Sequence, residues 1–69
     1  MHPSTESLLR FFDTEHLPEH LAEISAPFGK LARDVVATWG DRPETTVCLR
    51  KLLEAKDCAV RAFIEEQRS

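Results

Sequence analysis

The sequence has few cysteines to cross-link a small protein and few glycines. Its 69 residues include two cysteines, two glycines, four prolines and no tyrosine. Two cysteines cannot form a disulfide framework. No apolar run approaches the roughly 20 residues that span a bilayer, and the N-terminus lacks a secretory signal pattern. We therefore expect one small cytoplasmic domain with no membrane partner.

The charge balance and the absent motifs exclude further function classes. Nine basic and 12 acidic residues give a net charge of −3, which argues against binding DNA or RNA polymers but allows a local pocket for a small anion. No nucleophile elbow, phosphate-binding loop, dinucleotide turn or zinc-protease motif is present. We expect no catalytic residue, no cofactor and no metal, and hence a protein that is not an enzyme.

The first long helix is predicted over residues 18–39. Pro18 suits a first helical position, and Gly40 suits a left-handed C-terminal cap. Pro27 interrupts the run, so we expect a helix that is kinked or briefly broken there, with two separate helices as the alternative. The apolar residues step by three or four, as in a helix: Leu21, Ile24, Phe28, Leu31, Val35 and Trp39.

A second long helix is predicted from Pro43 to about Gln67, where nothing interrupts the pattern. The short connection between the two helices predicts an antiparallel hairpin. We expect an all-α fold with a flexible or short helical N-terminal arm over residues 1–15. Residues 16–69 would form a helical-hairpin domain for oligomerisation and binding.

The second helix has more apolar surface than one neighbouring helix can bury. Two adjacent stripes, one starting at Cys48 and one at Leu49, together cover about 200° of the helix. This surplus favours a homo-oligomer held by the second helix. The alternative is that the apolar patch from Leu8 to Phe12 folds back and covers whichever stripe the first long helix leaves exposed.

Lys56 falls inside the apolar arc of the second helix. It must therefore reach solvent, pair with a carboxylate or meet an anionic ligand. Aromatic rings for stacking bases (Phe11, Phe12, Phe28) accompany basic residues for phosphates, among them Lys30, Arg33 and Arg61. Basic residues on helices are usually solvated, so this combination is unspecific by itself.

Two segments resemble small actinobacteriophage proteins: His16-Leu17-Pro18 and the stretch from Pro43 to Ala62. Within the second segment, residues 49–59 resemble the pattern L-x-K-L-E-E-A-x-x-x-A. That pattern is similar to the phage helical-hairpin sponges that counter host cyclic-nucleotide immunity. These are the anti-CBASS proteins, directed against cyclic-oligonucleotide-based antiphage signalling, and their anti-Thoeris relatives.

This resemblance implies a short N-terminal helix followed by a hairpin, assembled into hexamers that bind cyclic di- or trinucleotides at interfaces. It implies Phe11 or Phe12 as the aromatic contact to a dinucleotide. The family's basic position in the first long helix falls on Ser25, a departure from the pattern, so Lys30 or Arg33 would replace it. Arg61 matches a basic residue used for trinucleotides.

We therefore expect a sponge in the host bacterial cytoplasm that sequesters cyclic-nucleotide messengers without cleaving them. Its ligand-binding candidates are Phe11, Phe12, Ser25, Phe28, Lys30, Arg33, Lys56 and Arg61. The alternative is a small protein-binding hairpin whose apolar stripe docks a host or phage protein, which the negative net charge also suits.

Overall fold

Three helices form the fold, in the order that the sequence pattern predicts. The computed structural model describes residues 3–68, and within that range the chain contains no strand. Helix α1 runs over Pro3–Arg10, α2 over Glu19–Trp39 and α3 over Pro43–Arg68. The all-α class is thus confirmed, with a short N-terminal helix followed by two longer ones. None of these helices is both long and apolar enough to cross a bilayer.

Pro27 lies inside α2 and does not end it. Proline cannot donate the helical hydrogen bond to the carbonyl of Glu23, but both residues are exposed, so water can reach that carbonyl. The structure therefore has one continuous helix here, and the alternative of two helices divided at Pro27 is wrong.

The turn between α2 and α3 is short and built around Gly40. Gly40 ends α2 with φ 70° and ψ −156°, and its N–H donates to the carbonyl of Val36 at 2.8 Å. The positive φ suits glycine, but this ψ lies outside the left-handed helical region, so the predicted left-handed cap is wrong. The connection makes the two long helices antiparallel. At the far end of the hairpin, the rings of His20 and Phe63 stack with centroids 5.8 Å apart.

Helix α1 folds back along the first half of α3 and runs in the same direction. The start of α1 lies beside Thr46 and Arg50, and the turn after it reaches Lys56 further along α3. This is the arrangement that the sequence allowed as the alternative to an oligomer. Oligomerisation itself stays a prediction.

Three apolar residues form the buried core, one each from the turn after α1, from α2 and from α3. They are Phe12, Ala32 and Leu49, and none is more than 1% exposed. Six half-buried apolar residues pack around it: Leu8, Leu9, Phe28, Val36, Leu52 and Leu53. The turn after α1 approaches α2 closely at Gly29. A Cβ there would lie 3.2 Å from the carbonyl oxygen and 3.3 Å from the Cβ of Phe12. Glycine thus permits the contact that brings Phe12 into the core.

Candidate functional site

A groove between the start of the hairpin and the middle of α3 brings together three of the predicted ligand-binding residues. It encloses about 220 Å³. Apolar side chains and charged side chains share its lining: Leu17, Leu21, Ser25, Lys56, Asp57, Val60 and Arg61. Because α2 and α3 are antiparallel, the first turns of α2 face this part of α3. The hairpin alone therefore assembles most of the site.

Ser25 supplies the unusual group in the groove. It lies on the α3-facing side of α2, two turns before the buried Ala32, and is only 1% exposed. Its Oγ has no hydrogen-bond partner within the described chain. A buried hydroxyl without a partner costs roughly 1–3 kcal/mol, so its position calls for an explanation.

Lys56 is largely buried, with 14% of its side chain exposed. Its Nζ donates to the carbonyl oxygen of Phe11 at 2.8 Å and lies 3.7 Å from Oδ1 of Asp57. It also sits 5.8 Å from the centre of the Phe12 ring, within the range of a cation–π contact. These contacts connect α3 to the turn after α1, and they account for a lysine in the apolar arc without requiring a ligand.

Arg61 is exposed at the rim of the groove. One of its terminal nitrogens, Nη2, donates to the Sγ of Cys58 at 3.3 Å. A guanidinium carries five N–H donors in a planar fork, so this contact uses a small part of its capacity. Arg61 is the group best placed to meet an anion entering from solvent.

The three predicted aromatic residues have different surroundings. Phe11 is 61% exposed, and its backbone carbonyl accepts the hydrogen bond from Lys56, but Phe11 does not belong to the lining of the groove. Phe12 is buried at 1%, and in this conformation its ring faces the core rather than a ligand. Phe28 is half-buried and packs against the core.

The two basic residues proposed to replace a basic group at Ser25 lie outside the groove lining. Lys30 points to solvent and pairs with Asp34 at 3.0 Å within α2. Arg33 is exposed, and its Nη1 lies 2.9 Å from where a Cβ on Gly29 would be, beside the turn that carries Phe12. The structure thus joins Ser25, Lys56 and Arg61, and separates Lys30 and Arg33 from them.

Sequence reasoning did not assign four of the groove residues to a site: Leu17, Leu21, Asp57 and Val60. Leu21 and Ser25 are four apart within α2, and that spacing could have placed both on one face, whereas Leu17 precedes the helix and helical spacing could not place it. The carboxylate of Asp57 lies 3.7 Å from Nζ of Lys56, the residue before it in α3. Helical spacing could not reveal this contact, because neighbouring residues on a helix point in different directions.

Two further cavities lie at the opposite end of the hairpin. The larger, about 460 Å³, is beside the turn and includes Trp39 and Cys48. The other, about 350 Å³, lies between α1 and the start of α3. Across residues 3–68, no three histidine, cysteine, aspartate or glutamate side chains converge as a metal site would require.

No known protein family, curated protein or solved structure matches this chain.

Proposed function

We propose that this protein binds cyclic di- or trinucleotides in the groove beside Ser25 and sequesters them without cleaving them. In an infected bacterium this would withhold the messenger from the host's immune effector. The observation that supports the proposal is the position of Ser25, which lines a groove together with Lys56 and Arg61 and whose buried hydroxyl has no hydrogen-bond partner among residues 3–68.

The polar groups of the groove suit one phosphodiester. Arg61 can form two parallel hydrogen bonds to phosphate oxygens, and the Ser25 hydroxyl can donate a third. Lys56 contributes positive charge, while its described hydrogen bond goes to the backbone of Phe11. The carboxylate of Asp57 opposes a second phosphate at the same place. The groove therefore fits one anionic group of a larger ligand.

The apolar part of the groove suits the rest of a nucleotide. Leu17, Leu21 and Val60 supply surface for a base or ribose. The backbone carbonyl of Phe11 contacts Lys56, and the exposed ring of this residue is available to stack on a base. Stacking on aromatic side chains contributes roughly 1–3 kcal/mol per base and tolerates different bases.

The size of the groove implies that one chain encloses only part of such a ligand. Its volume of about 220 Å³ lies below the roughly 300–1,000 Å³ of typical ligand pockets. A second copy of the chain would have to cover the remainder. This favours a homo-oligomer, and the family that the sequence resembles forms hexamers.

Isothermal titration calorimetry with cyclic diadenylate and cyclic triadenylate tests the proposal, and native mass spectrometry gives the stoichiometry. We expect Arg61→Ala to weaken binding by roughly 10- to 100-fold, the equivalent of one or two charge-assisted hydrogen bonds. Arg68→Ala, which removes an exposed arginine in the last turn of α3 and outside the groove, is the matched control and should bind as the wild type does. Absence of binding to either nucleotide, or an Arg61→Ala variant with unchanged affinity, would contradict the proposal.

One observation favours the alternative, a module that docks another protein. Trp39 is 57% exposed beside the 460 Å³ cavity at the hairpin turn, and tryptophan is prominent among the residues that anchor protein interfaces. In that case Trp39→Ala would abolish the protein's effect on infected cells, whereas Arg61→Ala would leave it intact.

A further inference from the structure

Lys56 takes part in two separate features of the molecule. It lines the groove together with Ser25 and Arg61. Its Nζ also donates to the backbone carbonyl of Phe11 at 2.8 Å, in the turn that follows α1. None of the described residues from 3 to 13 belongs to the lining of the groove. The side chain of Lys56 therefore connects the groove to a segment that does not itself line it.

The turn after α1 fixes the position of the Lys56 ammonium group. Lysine has a long, flexible side chain, and beside an apolar surface its charged end normally extends into water. Here only 14% of the side chain is exposed. The Phe11 carbonyl accepts a hydrogen bond from Nζ, and the centre of the Phe12 ring lies 5.8 Å from it. The docked turn thus holds the ammonium group in place and shields it from solvent.

This ammonium group keeps donors for a further partner. It carries three N–H donors, and the hydrogen bond to Phe11 uses one of them. Oδ1 of Asp57 lies 3.7 Å from Nζ, which is longer than the roughly 2.7–3.2 Å of an N–H···O hydrogen bond. An anion in the groove can therefore accept from Lys56 while the hydrogen bond to Phe11 stays intact. One such charge-assisted hydrogen bond contributes about a factor of ten to affinity.

Helix α1 depends on contacts with the hairpin for its order. It has eight residues, fewer than the roughly 12–15 that an isolated helix needs in water. Its half-buried Leu8 and Leu9 pack against the core. The turn after it is closed by hydrogen bonds from the amides of Phe11, Phe12 and Asp13 to carbonyls three residues earlier. Hydrogen exchange at these three amides therefore reports how firmly the turn is held.

We infer that Phe11 is a positioning residue for the groove: its carbonyl, carried by the docked turn, holds Lys56 where it meets a phosphate group of the ligand. This inference rests on the proposed nucleotide binding. Because linkage between two sites is reciprocal, a phosphate group bound by Lys56 also holds the turn and α1 against the hairpin, by the same factor. An arm outside the groove thereby sets the affinity of the groove.

A double-mutant cycle on the full chain tests this coupling, with calorimetry measuring the affinity for cyclic diadenylate and cyclic triadenylate. Leu9→Ala weakens the packing of α1 without touching the groove. It should lower the affinity by about 3- to 10-fold, because fewer chains then have the docked turn. In a Lys56→Met background the same change should leave the affinity unaltered. Ser7→Ala, at an exposed position of α1, is the control and should bind as the wild type does.

Hydrogen exchange gives the reciprocal measurement. A saturating cyclic nucleotide should slow exchange at the amides of residues 11–13 by about 3- to 10-fold in the wild type, and should not slow it in Lys56→Met. Inorganic phosphate is the second probe, because it offers the same anion without a base. Circular dichroism checks that each variant folds, and Lys56→Gln replaces Lys56→Met if the methionine variant does not.

The outcomes separate this coupling from the binding function. A nucleotide that binds without slowing exchange at residues 11–13 would overturn the coupling and leave the function standing. Equal losses of affinity from Leu9→Ala in both backgrounds would do the same. If neither nucleotide binds but phosphate slows exchange in the wild type and not in Lys56→Met, the proposed function fails and the coupling stands. If none of the three probes binds, both are wrong.

Discussion

The buried hydroxyl of Ser25 gives a prediction in which stability and binding change in opposite directions. Ser25→Ala removes an oxygen that is 1% exposed and has no described hydrogen-bond partner. Removing an unpartnered buried hydroxyl recovers roughly 1–3 kcal/mol of desolvation free energy. Alanine also favours the interior of α2 by up to about 0.5 kcal/mol. Loss of the packing contacts of one oxygen atom offsets part of this gain.

We therefore expect Ser25→Ala to raise the free energy of unfolding by about 1–2 kcal/mol. For a domain of this length, each kcal/mol shifts Tm by about 4–8 °C, so Tm should rise by about 5–15 °C. The same variant should bind a cyclic nucleotide more weakly, because it lacks the hydroxyl donor. Calorimetric unfolding with and without the ligand measures both effects on one sample.

Ser7→Ala is the matched control for this experiment. Ser7 is exposed within α1, so its replacement changes only helix propensity, by about 0.5 kcal/mol or less. The reasoning is refuted if Ser25→Ala lowers Tm relative to this control, since the hydroxyl would then be satisfied in the folded chain. A stabilised variant with unchanged nucleotide affinity would remove Ser25 from the proposed site.

Two further predictions concern how α1 and its following turn are held. Lys56→Met should lower the free energy of unfolding by about 1–3 kcal/mol, because the carbonyl of Phe11 loses a charged donor 2.8 Å away. Urea denaturation measures this change, and an unchanged midpoint would show that the hydrogen bond contributes nothing net to stability. Gly29→Val should lower the free energy of unfolding by about 1–3 kcal/mol, because the Cβ of valine would lie about 3.2 Å from the carbonyl oxygen of Phe12. Amide hydrogen exchange near residue 12 should become faster. A variant as stable as the wild type would mean that the turn moves away from α2 without cost.

The helices themselves could be predicted from local pattern. The apolar period from Leu21 to Trp39, together with Gly40 after it, placed α2 to within a residue. The effect of Pro27 could not be settled in the same way. Whether a helix survives an internal proline depends on whether water or a neighbour satisfies the lost hydrogen bond, and that is decided by exposure in the folded chain.

The candidate site could be predicted only in part, because its members come from separate turns of two helices. Ser25 was singled out through a resemblance and Lys56 through its position in an apolar arc, and the antiparallel register then placed both in one groove. Phe12 shows the limit of this reasoning. Phe11 and Phe12 are adjacent and chemically identical, and the sequence does not show that the turn packs against Gly29 with Phe12 buried and Phe11 exposed.

The length of α1 explains why folding back of the arm does not remove the case for a partner. Eight residues of helix span about 12 Å, whereas the 26 residues of α3 span about 39 Å. Helix α1 can therefore cover no more than about a third of α3, and only on one side of the hairpin. From the sequence alone, the folded-back arm and a second copy are alternative ways to bury the extra apolar surface of α3. In the structure α1 and the turn after it pack on the side of the hairpin that carries Gly29 and Thr46, so this packing is compatible with a second copy on the other side.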